Sequence, residues 1–193
     1  MKRSNLIIIA VIAVLAVWGI SKYNGMVNAD ETVSKAWANV EAQYQRRADL
    51  IPNLVATVKG YAEHEKSTFE AVTEARSKAT QVSLNVEDLN EENMQKFQEA
   101  QAQVSSALAR LLAVSENYPE LKASEQFTEL QAQLEGTENR INTARTEYNK
   151  EVKDYNVAVR SFTGNLIAGM FGFERRAEFK AEAGAEKAPK VEF

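Results

Sequence analysis

Cysteine is absent from this 193-residue chain, and histidine occurs once, at His64. Without cysteine there is no disulfide, thiol nucleophile, iron–sulfur cluster, cysteine-ligated zinc or lipid-modified cysteine anchor. A single histidine excludes a multi-histidine metal site within one chain. Proline and glycine are scarce, at three and eight residues; between Val27 and Phe162 there are only Gly60, Gly136, Pro52 and Pro119. Few turn residues mean few turns and long elements. Positive charge is not in excess: the net charge is −4, so there is no basic nucleic-acid footprint. No segment alternates polar and apolar residues with the two-residue period of a strand. The length suits one domain with extensions.

One long hydrophobic run is present. Residues 6–20, LIIIAVIAVLAVWGI, follow the basic end MKRSN. These fifteen residues span roughly 22 Å as a helix, and Asn5, Ser21 and the stem of Lys22 extend them toward a full crossing. Trp18 and Tyr23 sit where interfacial aromatics belong. A signal peptide would place small residues just after the run; here Trp18, Lys22 and Tyr23 lie there, and Val27-Asn28-Ala29 is distant. The expectation is an uncleaved single-pass anchor over residues 6–22. Lys2, Arg3 and the free amine outweigh Lys22 and Lys35, which puts the short end inside and the rest outside the cytoplasm.

The remainder reads as helix. Val33, Trp37, Val40, Tyr44, Arg47, Ile51, Leu54, Val58 and Tyr61 follow steps of three and four, continuing through Glu65, Thr68, Val72, Ala75 and Ala79. Asn90 with Glu91 and Glu92 opens a second stripe: Phe97, Gln101, Val104, Leu108 and Leu111, stopped at Asn117-Tyr118-Pro119. Ser124 caps a third, from Phe127 through Leu134, Thr137, Ile141, Tyr148, Tyr155 and Val159 to Phe162, with Gly164 at the left-handed terminal position. Pro52 either kinks or splits the first helix near Asp49; a kink leaves three helices, and a split leaves four with Asp49 as a cap. The expected fold is all-α: an amino-terminal transmembrane helix followed by an elongated antiparallel three- or four-helix bundle. The chain divides into a basic end (1–5), an anchor (6–22), a bundle (24–164) and a partly ordered tail (165–193). Phe171, Phe173 and Phe179 are docking points in that tail, and the last ten residues are expected to be disordered.

Catalytic motifs are missing. His64 in Glu63-His64-Glu65 lacks the second histidine of a zincin, and Tyr61 stands where a Glu-x-x-His motif needs Glu. The glycines of GNLIAGMFGF have neither the Lys nor the Ser/Thr of a phosphate loop, and there is no Gly-x-Ser-x-Gly elbow. No enzyme, metal or cofactor is expected.

Two mid-helix stretches carry polar residues on apolar stripes: Arg46-Arg47-Ala48-Asp49 through Asn53, and Leu134 to Ile141 with Thr137, Glu138, Asn139 and Arg140. A charge on an apolar face needs a partner or water. In an antiparallel pairing, Arg46 or Arg47 meets Glu138, and Asn53 and Asn139 join a polar layer that fixes register. Gly136 lets a backbone approach closely. The alternatives are two solvated faces, or a site for a partner or ligand.

At these residues the chain resembles the LemA family. The resemblance rests on RRADLIPNLVATVKGYAEHE (46–65), NYPELKAS (117–124), LEGTENRI (134–141), the pairs Tyr148-Asn149 and Tyr155-Asn156, and the ending AEKAPKVEF, and it covers nearly the whole chain. It implies a bacterial inner-membrane protein with one amino-terminal membrane helix, a helical bundle and no agreed catalytic residues. It also implies the bundle in the cytoplasm, opposite to the charge argument. The functional expectation is a non-catalytic scaffold, tethered through residues 6–22, that binds a protein partner or self-associates. The alternatives are an accessory to a membrane enzyme or protease, or an enzyme using Arg47, Asp49, His64 and Glu138.

Overall fold

The computed structural model describes residues 3–181. Lys2, the first basic side chain of the amino-terminal end, and the last ten residues, expected to be disordered, lie outside that range. Six helices follow one another: α1 (Arg3–Lys59), α2 (Lys66–Gln81), α3 (Glu91–Val114), α4 (Pro119–Lys122), α5 (Glu125–Arg160) and α6 (Phe162–Phe171), and the described residues contain no strand. The protein is all-α. Among the described residues, α1 is the one helix long and apolar enough to cross a membrane, and that window is not buried in the fold. The apolar run and the first bundle helix are one uninterrupted helix of 57 residues.

Antiparallel packing follows from the pairs that meet. Arg47 of α1 reaches Glu138 of α5, and Trp37 lies 5.4 Å from Tyr148. Farther toward the apolar run, Met26 approaches Gly164. On α2, Arg76 reaches Ala48, so that helix runs back along α1. On α3, Phe97 packs on Trp37 and Tyr44 while Ser105 meets Arg47, so α3 runs parallel to α1. The long helices therefore form an up-down-up-down, four-helix bundle.

Pro52 neither splits the helix nor makes Asp49 a cap: α1 continues through it to Lys59. The break comes at residues 60–65 and begins at Gly60, the poorest helix former among them. The heptad phase carries across this turn, which is why it is invisible in the stripe. Asn90 and Ser124 do cap α3 and α5, accepting from the backbone N–H of Asn93 and Phe127. The third stripe ends earlier than expected. Helix α5 stops at Arg160, Ser161 caps α6, and Phe162 is 96% exposed. Gly164 lies inside α6, and the left-handed glycine is Gly172 (φ 77). Helix α6 thus runs across the boundary expected after residue 164.

The core has two parts. Nearer the apolar run, Trp37, Val40, Phe97, Ile141, Tyr148, Val152 and Tyr155 cluster; beyond it, Ile51, Leu54, Val58, Val72, Leu108, Leu111 and Leu134 cluster. Arg47 and Thr137 sit between them, both buried.

Candidate functional site

Arg47 is 2% exposed, and both terminal nitrogens of its guanidinium are engaged. It donates to Glu138 (2.8 Å), to Ser105 Oγ (2.9 Å) and to the Gln101 side-chain oxygen (2.7 Å), and it lies 5.1 Å from the Tyr44 ring centroid. The Glu138 side chain is 38% exposed, so the pair joins a buried cation to a part-exposed carboxylate. Burial raises the Tyr44 pKa, opposed by the charges of Arg145 and Arg47.

The other expected members of this cluster are elsewhere. Arg46, Asp49, Asn53, Asn139 and Arg140 are all exposed. Asp49 accepts from Gln45 on its own helix, and Asn53 and Asn139 lend their backbone carbonyls to Thr57 and Thr143. No asparagine joins the layer; its remaining groups come from α3, as Gln101 and Ser105. Thr137 turns its hydroxyl to Gln133 of its own helix (2.8 Å). Nothing lies within 4 Å of a Cβ built on Gly136, so it serves no close approach. His64 is exposed in the turn after α1, seventeen positions past Arg47, so Arg47, Asp49, His64 and Glu138 do not share a pocket.

A second arrangement was not visible as a site in the sequence. After Gly172 the chain runs extended along α5, and its backbone is read by side-chain amides. Asn156 donates to the Arg176 carbonyl (2.9 Å) and accepts from the Arg176 N–H (3.0 Å). Asn149 does the same for Phe179 (2.9 and 2.8 Å), and Gln98 of α3 for Lys180 (3.0 and 3.4 Å). The Tyr155 and Tyr148 hydroxyls donate to the carbonyls of Glu174 (2.8 Å) and Ala177 (2.9 Å). The spacing explains the fit. Asn149 and Asn156 are seven residues apart, about 10.5 Å along a helix. Arg176 and Phe179 are three apart, about 10 Å in an extended chain. One Tyr-Asn pair per heptad therefore clips one three-residue step. The Phe179 ring enters the Trp37–Phe97–Tyr148 cluster, 5.4 Å from Tyr148, with Arg145 4.7 Å above it. Of the three expected docking points in the tail, Phe179 is buried, Phe173 is half-buried against Tyr23 and Phe171 remains 57% exposed. Burial raises the Tyr148 pKa, and it pushes Tyr155 up to about 12, with Asp30 adding to the effect.

Beyond Lys180 the described residues leave a groove of about 560 Å³ between α3 and α5 along the same line. Gln95, Gln98 and Ala102 form one wall, Asn142 and Arg145 the other, and Arg47 lies at its base. Asn142 stands one heptad before Asn149 and is exposed. The only advance signal was the repeat Ile141-Asn142, Tyr148-Asn149, Tyr155-Asn156.

Known proteins are similar to this chain over most of its length. Magnetosome protein MamQ 2 of Paramagnetospirillum magneticum is 27% identical over 95% of this chain and 74% of its own. Magnetosome protein MamQ of Magnetospirillum gryphiswaldense is 26% identical over 80% and 63%. Protein LemA of Metamycoplasma hominis is 22% identical over 84% and 70%. The LemA family pattern matches residues 36–193, a span that takes in the Arg47 layer, both Tyr-Asn pairs and the groove; the chain belongs to the LemA family.

Proposed function

We propose that this protein is a non-catalytic, partner-binding module tethered to the bacterial inner membrane by the apolar run of α1, and that the groove between α3 and α5 docks an extended polypeptide. The observation that carries the reading is the clipping of residues 174–180 by backbone-directed amides and hydroxyls. Such contacts recognise extended main chain, as an exposed strand edge does, and among the described residues Asn142 stands exposed one heptad further along the same line. The Arg47–Glu138 pair serves this site by fixing the register of α1 against α5. On the basic-residue rule, the short amino-terminal end faces the cytoplasm and the groove faces outward. Carboxyl-terminal reporter fusions check that side.

Photocrosslinking in membranes tests the groove. A crosslinker at Gln95 or Asn142 of the full chain is expected to trap the same discrete protein through one extended segment, while one at exposed Thr128 traps nothing. Adducts confined to residues 182–193 of the same chain, or none at all, overturn the reading.

A further inference from the structure

Helix α6 has the sequence FTGNLIAGMF, without a charged residue, and uses only one side for packing. Gly164, Ile167 and Ala168 are buried. A Cβ on Gly164 would lie 1.9 Å from the Ala158 carbonyl oxygen and 3.0 Å from Met26 Cε, so glycine lets α6 press against α5 and α1. The opposite side is apolar and bare: Phe162 is 96% exposed, Leu166 63% and Met170 68%, spaced by four, with Phe171 beside them at 57%. A water-facing helix side normally carries polar and charged residues. This one carries Asn165 and Gly169 besides.

Its position names the occupant. The Tyr23 ring lies 4.8 Å from Phe171 and 5.7 Å from Phe173. Tyr23 is three residues past Ile20, the end of the apolar run, a rise of about 4.5 Å. Gly164, near the other end of α6, sits beside Met26, about 9 Å from Ile20 by the same rise. The headgroup zone of a leaflet is of order 5–8 Å thick, so α6 slants through or just above it. Exposed Arg160 and Arg175 bracket the helix and Lys22 lies on α1 nearby; Glu174 is the adjoining exposed acid. Gly172 then turns the chain back, and the 173–181 segment leaves along α5.

We infer that α6 is an interfacial helix whose Phe162–Leu166–Met170 face inserts into the lipid surface at the foot of α1, making a second membrane contact. The inference rests on the reading of the apolar run as an anchor. Its test uses the absence of native cysteine: each introduced cysteine is the sole thiol. Full-length Val14→Cys, Leu166→Cys, Met170→Cys and Thr128→Cys variants carry an environment-sensitive fluorophore. They are reconstituted in phosphatidylethanolamine–phosphatidylglycerol vesicles containing quencher lipids of shallow or deep label. The labels at 166 and 170 are expected to lose most of their emission to shallow quenchers, the label at 14 to deep ones, and the label at 128 to neither. Quenching at 14 but not at 166 or 170 overturns the interfacial helix and leaves the anchor standing. Quenching at 166 and 170 without 14 removes the anchor, and with it a second contact at its foot; quenching at none of the three removes both. Labels at 166 that are shielded yet unquenched, with the unlabelled Leu166→Cys variant oxidising to a disulfide-linked dimer, would make this a face between two chains and overturn the proposal.

Discussion

Pro52 lacks the N–H that an α-helix would direct to the carbonyl of Ala48, four residues back. The structure supplies a substitute: Arg76 Nε of α2 donates to that carbonyl at 2.8 Å. This is how α1 continues through a proline that its sequence marked as a break. Arg76→Leu should destabilise the bundle by about 1 kcal/mol, the usual net worth of one hydrogen bond, since the Ala48 carbonyl is only part-buried. Pro52→Ala, by restoring the N–H, should recover part of that loss in the double variant; equal losses in both backgrounds on denaturant melting would refute the substitution of one donor for the other. At the Arg47 layer, the asymmetry in burial sets the order of effects. Glu138→Ala strands a cation that is 3% exposed, whereas Arg47→Met strands a carboxylate that is 38% exposed. The first should cost more, roughly 1–3 kcal/mol, and the double change less than the sum. Arg47 and Glu138 were legible because a charge stood on an apolar stripe. Gln101 on the α3 stripe and Ser105 at its flank, which complete the layer, were not, since polar residues of that size on a long helix look like ordinary solvated positions. Nothing in the sequence marked Arg76 as the donor that Ala48 needs.

Among the elements, the long helices were readable from their periods and caps, and the joints were not. A stripe whose phase survives a six-residue turn hides the turn between α1 and α2, and an apolar Phe162 prolongs a stripe that has already left the core. The joint between α5 and α6 is the tightest point of the chain. Gly164→Ala places a methyl group against the Ala158 carbonyl, and backbone cannot yield as a side chain does. The α5–α6 corner should open, detected as faster hydrogen exchange across residues 158–171 than across 130–150. The extended segment 173–181 lies in a stretch whose charged, Ala-rich composition reads as a partly ordered tail, while its partners lie on another element at heptad spacing. Asn149→Ala removes two hydrogen bonds to Phe179, worth about 1 kcal/mol each. If opening is fast relative to cleavage, tryptic cutting after Arg175, Arg176 and Lys180 should then accelerate on the order of tenfold or more. An unchanged rate would mean that the two Asn149 bonds do not hold the segment, leaving that to the other clips and the Phe179 ring.

For the molecule as a whole, the two core clusters on either side of Arg47 need not fail together, and pH separates them. The half nearer the apolar run contains Tyr44, Tyr148 and Tyr155, all with pKa values raised by burial above the ordinary 10.0, Tyr155 to about 12. The half beyond Arg47 has no buried tyrosine among its core residues. Two of the three hydroxyls hold the extended segment as donors, a role that requires the proton. A raised folded-state value means that the folded protein binds protons the unfolded chain has already released. The stabilisation is therefore complete below pH 10 and declines as pH rises toward and past 12. The expected course is a protein indifferent to pH between 6 and 9. In alkali, segment 173–181 then detaches as tyrosinate absorbance at 295 nm rises, and the Trp37 environment loosens with it. Hydrogen exchange along α2 and the distal part of α3 should lag behind that step. Simultaneous loss of both halves would show that the Arg47 layer couples the two clusters into one cooperative unit, and release of the segment below pH 9 would show that the tyrosine hydroxyls are not what holds it.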